Sequence, residues 1–184
     1  VFHHFTQGPF LMDDLHFVSP PASLPKADFM ARFGGIYEHS PWVAATLLAQ
    51  GCDAQDDQLT HFAARMAGIV DAAGHKAQLA LLQAHPERAG KLAIAGNRPA
   101  ESSAEQAGAG LDACSADEFA RFQTLNTRYG AAFGHPFIIA VRGLTRGDIL
   151  AAFEQRVTND PATEFATALA EVHKIARLRL ADLC

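Results

Sequence analysis

The stretch Leu59-Thr-His-Phe-Ala-Ala-Arg-Met-Ala-Gly-Ile-Val70 decides the fold class of this chain of 184 residues. Its large apolar residues recur at intervals of three and four, a spacing that places them on one face of an α-helix. They are Leu59, Phe62, Met66, Ile69 and Val70. The stripe predicts an amphipathic helix that ends near Gly74 and packs one side against a core.

The neighbouring segments carry helix signals as well. Ser40 followed by Pro41 has the pattern of an N-cap with proline at the first helical position, and Gly51 ends that helix. The apolar run from Gln78 to Ala84 predicts a short helix. This helix stops before Pro86, because the residue preceding a proline disfavours the helical conformation.

The second half of the chain shows three further helix starts. Ser115 with Glu118, and Thr145 with Asp148, have the spacing of a capping box. Asp160 followed by proline begins a last helix that runs toward the C-terminus at Leu183.

One run does not fit a helix. Phe137 to Val141 is rich in β-branched residues but has no partner strand in the sequence, so we predict an extended buried segment. Strand signals are otherwise scarce, and the chain is predicted to be an all-α, single-domain helical bundle over residues 12–184. Residues 1–11, which precede Met12, are interpreted as a cloning remnant.

Composition limits the partners. The formal net charge is −5 and no block of Lys or Arg occurs, which argues against nucleic acid and anionic membranes. The longest apolar run is too short to cross a bilayer. The three cysteines are far apart, as in a cytoplasmic protein with reduced thiols. No histidine pair has metal-ligand spacing, so no metal site is predicted.

His85 is the first candidate for chemistry. It closes an apolar helix immediately before Pro86, where an imidazole can complement the helix dipole or bond a last carbonyl. The functional alternative is proton transfer near neutral pH, which needs a second polar group in the same pocket.

Glu105 is a candidate for that second group. A loop rich in glycine and proline spans Ala89 to Glu101, and Ser102 then opens a short helix with Glu105 at the capping-box position. Glu105 therefore has a purely structural interpretation. Together with Gln106 and the free N–H groups of a helix start, it could also bind a planar heterocycle or a carboxylate.

Arg179 continues the apolar stripe of the last helix, three residues beyond Ala176 and seven beyond Val172. A guanidinium on that face must find an anion or carbonyl groups, unless it extends to solvent at the helix end. A substrate carbonyl or carboxylate is one such partner. The backbone groups of the extended segment Phe137 to Val141 also need partners, and a ligand could provide some of them, although the segment could equally be plain core.

The chain resembles the family of OHCU decarboxylases, where OHCU is 2-oxo-4-hydroxy-4-carboxy-5-ureidoimidazoline. The resemblance covers the chain from about Asp13 to its end, with five stretches in the family's order. They are Phe33–Trp42, Ala84–Glu87, Ser102–Gln106 with Ala109–Leu111, the set Phe122, Leu125, Asn126 and Tyr129, and Phe133–Gly143. Glu87-Arg88 and His135 depart from the family's pattern beside these motifs.

The resemblance implies an all-α, often homodimeric enzyme without a cofactor. It implies decarboxylation of OHCU to (S)-allantoin, the last step of urate conversion to allantoin. His85 would donate a proton, Glu105 would be its acidic partner, and Arg179 would hold oxygens of the substrate. The other substrate-binding positions would be Pro86, Ser102, Ser103, Ala104 and Gln106, and the backbone of Phe137, Ile138, Ile139, Ala140 and Val141.

Two other interpretations stay open on the sequence alone. A helical ligand-binding domain would use the same pocket but would tolerate loss of His85 with only a change of affinity. A hydrolase acting on allantoin or a related ring is the second, although metal-dependent amidohydrolases need clustered His and Asp ligands that are not apparent in this sequence.

Overall fold

A computed structural model describes residues 15–86 and 115–184, and these residues form seven α-helices with no strand among them. Two short 3₁₀ helices, Pro21–Ser23 and Ala54–Asp57, precede α1 and α3. The α-helices are α1 Lys26–Phe33, α2 Trp42–Gln50, α3 Leu59–Ala72, α4 Gly74–Ala84, α5 Ala116–Phe133, α6 Arg146–Arg156 and α7 Pro161–Ala181. The all-α prediction is confirmed. The predicted remnant, loop and Ser102 helix lie outside the described residues.

The three predicted helix starts of the second half are confirmed at atomic detail. Ser115 and Glu118 form a reciprocal capping box at the start of α5, with backbone-to-side-chain bonds of 3.0 and 3.2 Å. Thr145 and Asp148 form the equivalent box before α6. The Asp160 carboxylate accepts the N–H groups of two residues in the first turn of α7. These boundaries depend on contacts within four residues, which is why local sequence predicts them.

Two boundaries in the first half differ from the predictions. Ser40 does not cap α2 with its side chain; its backbone carbonyl accepts the N–H of Val43 instead, and the helix begins at Trp42. Helix α4 begins at Gly74, four residues before Gln78, because its first turn is polar and exposed and so leaves no apolar signal.

A first core joins α1 to α4 with α7. Helix α3 lies at its centre and packs on α2, α4 and α7. All five apolar residues of the predicted α3 stripe are buried. Four aromatic rings meet in edge and tilted contacts with centroids 4.7–6.2 Å apart, a geometry that adds to the burial of their apolar area. They are Phe17, Phe29, Phe33 and Phe62.

A second core joins α5 and α6. The rings of Phe137 and Phe153 stack there at 3.8 Å, and Tyr129 packs edge-on against both. Helix α7 packs on α5 and on α3, so it forms part of the boundary between the two cores.

The segment 137–141 passes between the two cores. Phe137 is buried in the second core and Ile138 in the first, while Ile139 and Val141 pack against the second again. Side chains that alternate between opposite sides are typical of extended backbone. The prediction of an extended segment is therefore confirmed, whereas its burial is confirmed only in part: Phe137 and Ile138 are buried, and residues 139–141 are half-buried.

Gly134 ends α5 with a φ of +71°, a conformation that favours glycine. Gly134→Ala is expected to lower the free energy of unfolding by about 1–2 kcal/mol, although no atom of the described residues, apart from the chain neighbours of Gly134, lies within 4 Å of the added methyl group. Urea denaturation followed by circular dichroism measures this change in the free energy of unfolding.

Gly130→Ala is the matched control, because Gly130 lies inside α5 and also has open space around it. It is expected to stabilise the protein by up to about 1 kcal/mol. Equal effects of both changes would contradict the argument.

Candidate active site

His85 lies at the end of α4, where the backbone leaves the helix with a φ of −67° and a ψ of 133°. The following Pro86 enforces this exit. The imidazole is only 6% exposed, and its Nδ1 lies 3.2 Å from the carbonyl oxygen of Leu81. The structural interpretation of His85, a bond to a last helical carbonyl, is thus confirmed.

The contact with Leu81 determines the tautomer of His85. A carbonyl oxygen only accepts hydrogen bonds, so Nδ1 must carry the hydrogen. In the neutral ring Nε2 then has the lone pair, and in the imidazolium ion Nε2 carries the exchangeable proton. A buried imidazole with one nitrogen committed to the backbone can move a proton to and from a substrate through the other.

A hydrogen bond connects the end of α4 to the end of α5, three residues before the extended segment. The Gln83 amide donates to the carbonyl of Gly134 at 2.9 Å. Ile138 also shares the first core with Leu81 and Leu82, one turn before His85. The structure therefore brings two of the predicted site elements into one region of the fold. They are the end of α4 at His85 and the 137–141 segment.

A buried ion pair holds the first part of this segment. Arg156 of α6 donates through Nη1 to the carbonyl of Ile138 at 2.7 Å, and through Nε and Nη2 to Glu164 of α7 at 2.9 and 2.6 Å. Its guanidinium carbon lies 4.5 Å from the centroid of the Phe137 ring. Tyr129 and Asn159 donate to the same carboxylate. Because both charges are paired and hydrogen-bonded, the pair is compatible with burial.

A second carboxylate of α7 holds the middle of the segment. The Ala140 N–H donates to Glu171 Oε2 at 2.8 Å, and Glu171 is 9% exposed. Glu164 and Glu171 are seven residues apart, two turns of the helix, so they lie on the same face of α7. Beyond the segment, Arg142 forms a two-pronged ion pair with Asp182 just after α7. The segment thus runs along α7.

Ile139 lies between the two anchored positions. In extended backbone the N–H and C=O of one residue point to one edge, and those of its neighbours point to the other edge. Arg156 and Glu171 occupy the edge that carries the Ile138 carbonyl and the Ala140 N–H. Within residues 15–86 and 115–184, neither backbone group of Ile139 has a hydrogen-bond partner. The edge opposite to Arg156 and Glu171 therefore presents a donor and an acceptor side by side.

The Arg179 guanidinium bonds a backbone carbonyl and a carboxylate, the kinds of partner that its position on α7 predicts. Nη1 donates to the carbonyl of Ile36 at 3.2 Å and Nη2 to the Glu38 carboxylate at 3.0 Å, and about a fifth of the side chain is exposed. The prediction that this guanidinium needs an anion or carbonyl groups is confirmed within the protein itself. A substrate contact of Arg179 stays a prediction.

His135, one of the departures from the family's pattern, lies against the aromatic cluster of the second core. It is 4% exposed, its Nδ1 is 3.0 Å from the carbonyl of Pro136, and its ring meets that of Tyr129 edge-on. Burial lowers its pKa, with the carbonyl of Pro136 opposing the shift. His135 is thus a structural neighbour of the segment, with a ring that favours the neutral form.

Several predicted site residues lie outside the described residues. They are Ser102, Ser103, Ala104, Glu105 and Gln106. The proximity of Glu105 to His85 therefore stays a prediction. Of the remaining predicted residues, Pro86 follows His85 directly and is exposed.

The residues that hold the segment are not among the predicted site residues. They are Arg156, Glu164 and Glu171, and the sequence carries a signal for two of them. Arg156 and Glu171 each continue an apolar stripe: Arg156 follows Phe153 by three residues, and Glu171 follows Ala168 by three. This is the same pattern of a charge on a buried face that identified Arg179.

Within the described part of the chain, three side chains come close enough together to share a metal ion. They are Asp53, Asp56 and His61. Asp56 is fully buried, and one of its oxygens already accepts from the Arg65 guanidinium and from the N–H of Asp53. The arrangement is a capping box joined to an ion pair, and we assign no metal to it.

Comparison with known proteins identifies the family. Residues 22–181 match the family model described as OHCU decarboxylase. A protein of Haloferax volcanii named 2-oxo-4-hydroxy-4-carboxy-5-ureidoimidazoline decarboxylase is 42% identical, over 84% of this chain and 88% of its own length. A human protein with the same name, qualified as putative, is 38% identical over 88% of this chain and 91% of its own. The chain belongs to the OHCU decarboxylase family.

Solved structures agree with this assignment. A crystal structure of (S)-allantoin synthase has a TM-score of 0.70 and 34% identity, covering 88% of this chain and 52% of that chain. A crystal structure of OHCU decarboxylase in the presence of (S)-allantoin has a TM-score of 0.60 and 25% identity, covering 86% of this chain and 98% of that chain. The helical architecture described above is therefore that of the family.

Proposed function

We propose that this chain decarboxylates OHCU to (S)-allantoin, the last step of urate conversion to allantoin, without a cofactor. The observation that carries the proposal is membership of the OHCU decarboxylase family over residues 22–181, with a buried imidazole at the position that the family resemblance marks as catalytic. This function belongs to purine degradation, and the enzyme class is a carboxy-lyase.

The proposed reaction requires few groups from the protein. The bond between ring carbon 4 and its carboxylate breaks, CO₂ leaves, and the electron pair forms a double bond to the neighbouring ureido-bearing carbon, with the ring C=N group as the electron sink. The hydroxyl on carbon 4 then loses its proton and becomes the carbonyl of allantoin, and one proton must reach one face of the ureido-bearing carbon. Because the substrate provides its own electron sink, the protein needs to orient the carboxylate, stabilise the enolate-like charge and deliver the proton.

His85 is the proposed proton donor. With Nδ1 held by the Leu81 carbonyl, the imidazolium presents its second proton at Nε2, and the ring returns to the neutral tautomer after transfer. Solvent then restores the proton. Glu105 is proposed to orient the imidazole or the substrate hydroxyl, with Pro86 and Ser102 to Gln106 as the surrounding wall.

The backbone N–H and C=O groups of Ile139, which are unbonded within the described part of the chain, suit the substrate ring. A cyclic ureide carries an N–H next to a C=O. Its N–H can donate to the backbone C=O of a residue in an extended segment, and its C=O can accept from the N–H of the same residue. We propose that the substrate ring lies against this edge of the 137–141 segment, with Arg179 near its oxygens. Once the bound ring covers it, a polar pair of this type discriminates strongly against rings that lack the matching groups.

Two further proposals concern the setting of the enzyme. A homodimer is proposed from the family resemblance. A cytoplasmic location with reduced thiols is proposed from the scattered cysteines, of which Cys52 and Cys184 are free. No helix in the described part of the chain has the length and apolar character required to cross a membrane.

The proposal is tested by generating OHCU in situ from urate with urate oxidase and hydroxyisourate hydrolase. Addition of this protein is expected to yield optically active allantoin faster than spontaneous decay, which gives the racemate. Circular dichroism of the product measures both the rate and the stereochemistry. Slow, racemic product at the rate without enzyme would contradict the proposal and favour a ligand-binding function.

A further inference from the structure

We propose that Glu171 is a positioning residue for substrate binding, because its carboxylate fixes the Ala140 N–H and thereby aims the backbone groups of Ile139 at the substrate ring. The inference rests on the proposed function, since it takes the 137–141 segment as one wall of the substrate site. It adds a role for a residue that neither the sequence analysis nor the family resemblance marked.

The geometry of the segment is the first argument. A lone extended segment has no sheet neighbour to set the rotation of its peptide planes. Here two side chains replace the missing neighbour, with Arg156 on the Ile138 carbonyl and Glu171 on the Ala140 N–H. These two bonds immobilise the peptide units on either side of Ile139. The directions of the Ile139 N–H and C=O are then determined.

The placement of Glu171 is the second argument. A carboxylate on the buried face of α7 costs free energy unless it is bonded. One oxygen of Glu171 accepts from Ala140, and the other pairs with Lys174 at 2.5 Å. Lys174 is 64% exposed, whereas the Glu171 side chain is 12% exposed. The inner oxygen therefore does the positioning, and the outer ion pair is a surface contact of small energetic weight.

The consequence for catalysis concerns binding more than chemistry. Glu171 bonds a backbone group that neighbours the substrate contact, while the proposed proton donor lies on α4. Loss of the bond frees the peptide between Ile139 and Ala140 to rotate. The N–H and C=O of Ile139 are then no longer fixed in the orientation that binds the substrate ring. Uniformly weaker binding raises KM and leaves kcat nearly unchanged.

The experiment compares two nearly isosteric variants, Glu171→Met and Glu171→Gln, in the coupled assay with the full chain. Methionine removes the acceptor, whereas glutamine keeps an amide oxygen for Ala140. Glu171→Met is expected to raise KM about tenfold or more, the scale of one charge-assisted hydrogen bond, with kcat within about threefold of wild type. Inhibition by (S)-allantoin should weaken by a similar factor. Glu171→Gln is expected to stay within about threefold of wild type in both constants.

Three controls make the outcomes decisive. Lys174→Ala removes the outer ion pair alone and should leave KM unchanged. His85→Ala, measured alongside, tests the proposed site itself: an active His85→Ala variant overturns the proposed site, whereas an inactive one leaves the Glu171 result to be judged separately. Thermal melts establish that each variant is folded, and Glu171→Ala takes the place of the methionine variant if the latter fails to fold.

The inference is wrong if the variant without an acceptor keeps the wild-type KM, whatever its melting temperature. It is also wrong if the glutamine variant is as impaired as the methionine variant, because charge and not the bond to Ala140 would then matter. An equal rise of KM in Lys174→Ala would likewise assign the effect to the ion pair.

Discussion

Replacement of His85 by alanine is expected to slow the formation of (S)-allantoin at least about 100-fold, the scale of a general acid–base group, with the helical spectrum unchanged. In the proposed mechanism the buried imidazole of His85 donates the proton to the substrate. Its removal leaves the carbanion to be protonated by water from either face. The product should therefore become racemic as well as slow to form.

A second variant separates chemistry from structure. His85→Asn keeps an N–H that can donate to the carbonyl of Leu81 but has no proton to transfer. It is expected to be as inactive as His85→Ala. Recovery of most of the rate in His85→Asn would mean that the histidine acts through the helix end, and the proton-donor assignment would be withdrawn.

His75→Ala is the matched control for this prediction. His75 lies on the same helix, is exposed, and stacks on Phe165 with ring centroids 4.5 Å apart. Its loss should leave the rate of enantioselective decarboxylation at the wild-type value. Product optical activity is the readout that matters, because the substrate also decays without enzyme.

Local sequence predicted the helices well because their ends depend on neighbours. The capping boxes at Ser115 and Thr145 and the apolar stripe of α3 need no knowledge of the rest of the chain. The start of α4 was missed for the same reason: a polar, exposed first turn at Gly74 carries no periodic signal. Helix propensity alone could not have located it.

The site was predictable only in part, because its partners meet through tertiary packing. The apolar stripe of α7 predicted that Arg179, unless it extends to solvent, requires an anion or carbonyl groups. It did not predict that Glu38, 141 residues away in sequence, supplies the carboxylate. The extended segment was predicted from its composition. The anchoring of its backbone by Arg156 and Glu171 could not be predicted from sequence, because it depends on how α6 and α7 pack on that segment.

The anchor formed by Arg156 leads to the second large prediction, which concerns stability. Arg156→Ala is expected to lower the free energy of unfolding by about 3–5 kcal/mol, because it leaves the fully buried Glu164 carboxylate without its cation. Urea denaturation measures the loss. The Ile138 carbonyl would also lose its donor, so the segment between the two cores should loosen.

Arg156→Ala is expected to lose stability because it leaves the buried charge of Glu164 unpaired. Two further variants test this explanation. Arg121→Ala removes the same side chain from an exposed ion pair with Glu154, whose side chains are 57% and 40% exposed, and should cost less than about 1 kcal/mol. Arg156→Met combined with Glu164→Gln removes both buried charges and should be markedly more stable than Arg156→Ala. If Arg156→Ala cost no more than Arg121→Ala, the pair with Glu164 would not hold the segment. The positioning of Ile139 would then depend on Glu171 alone.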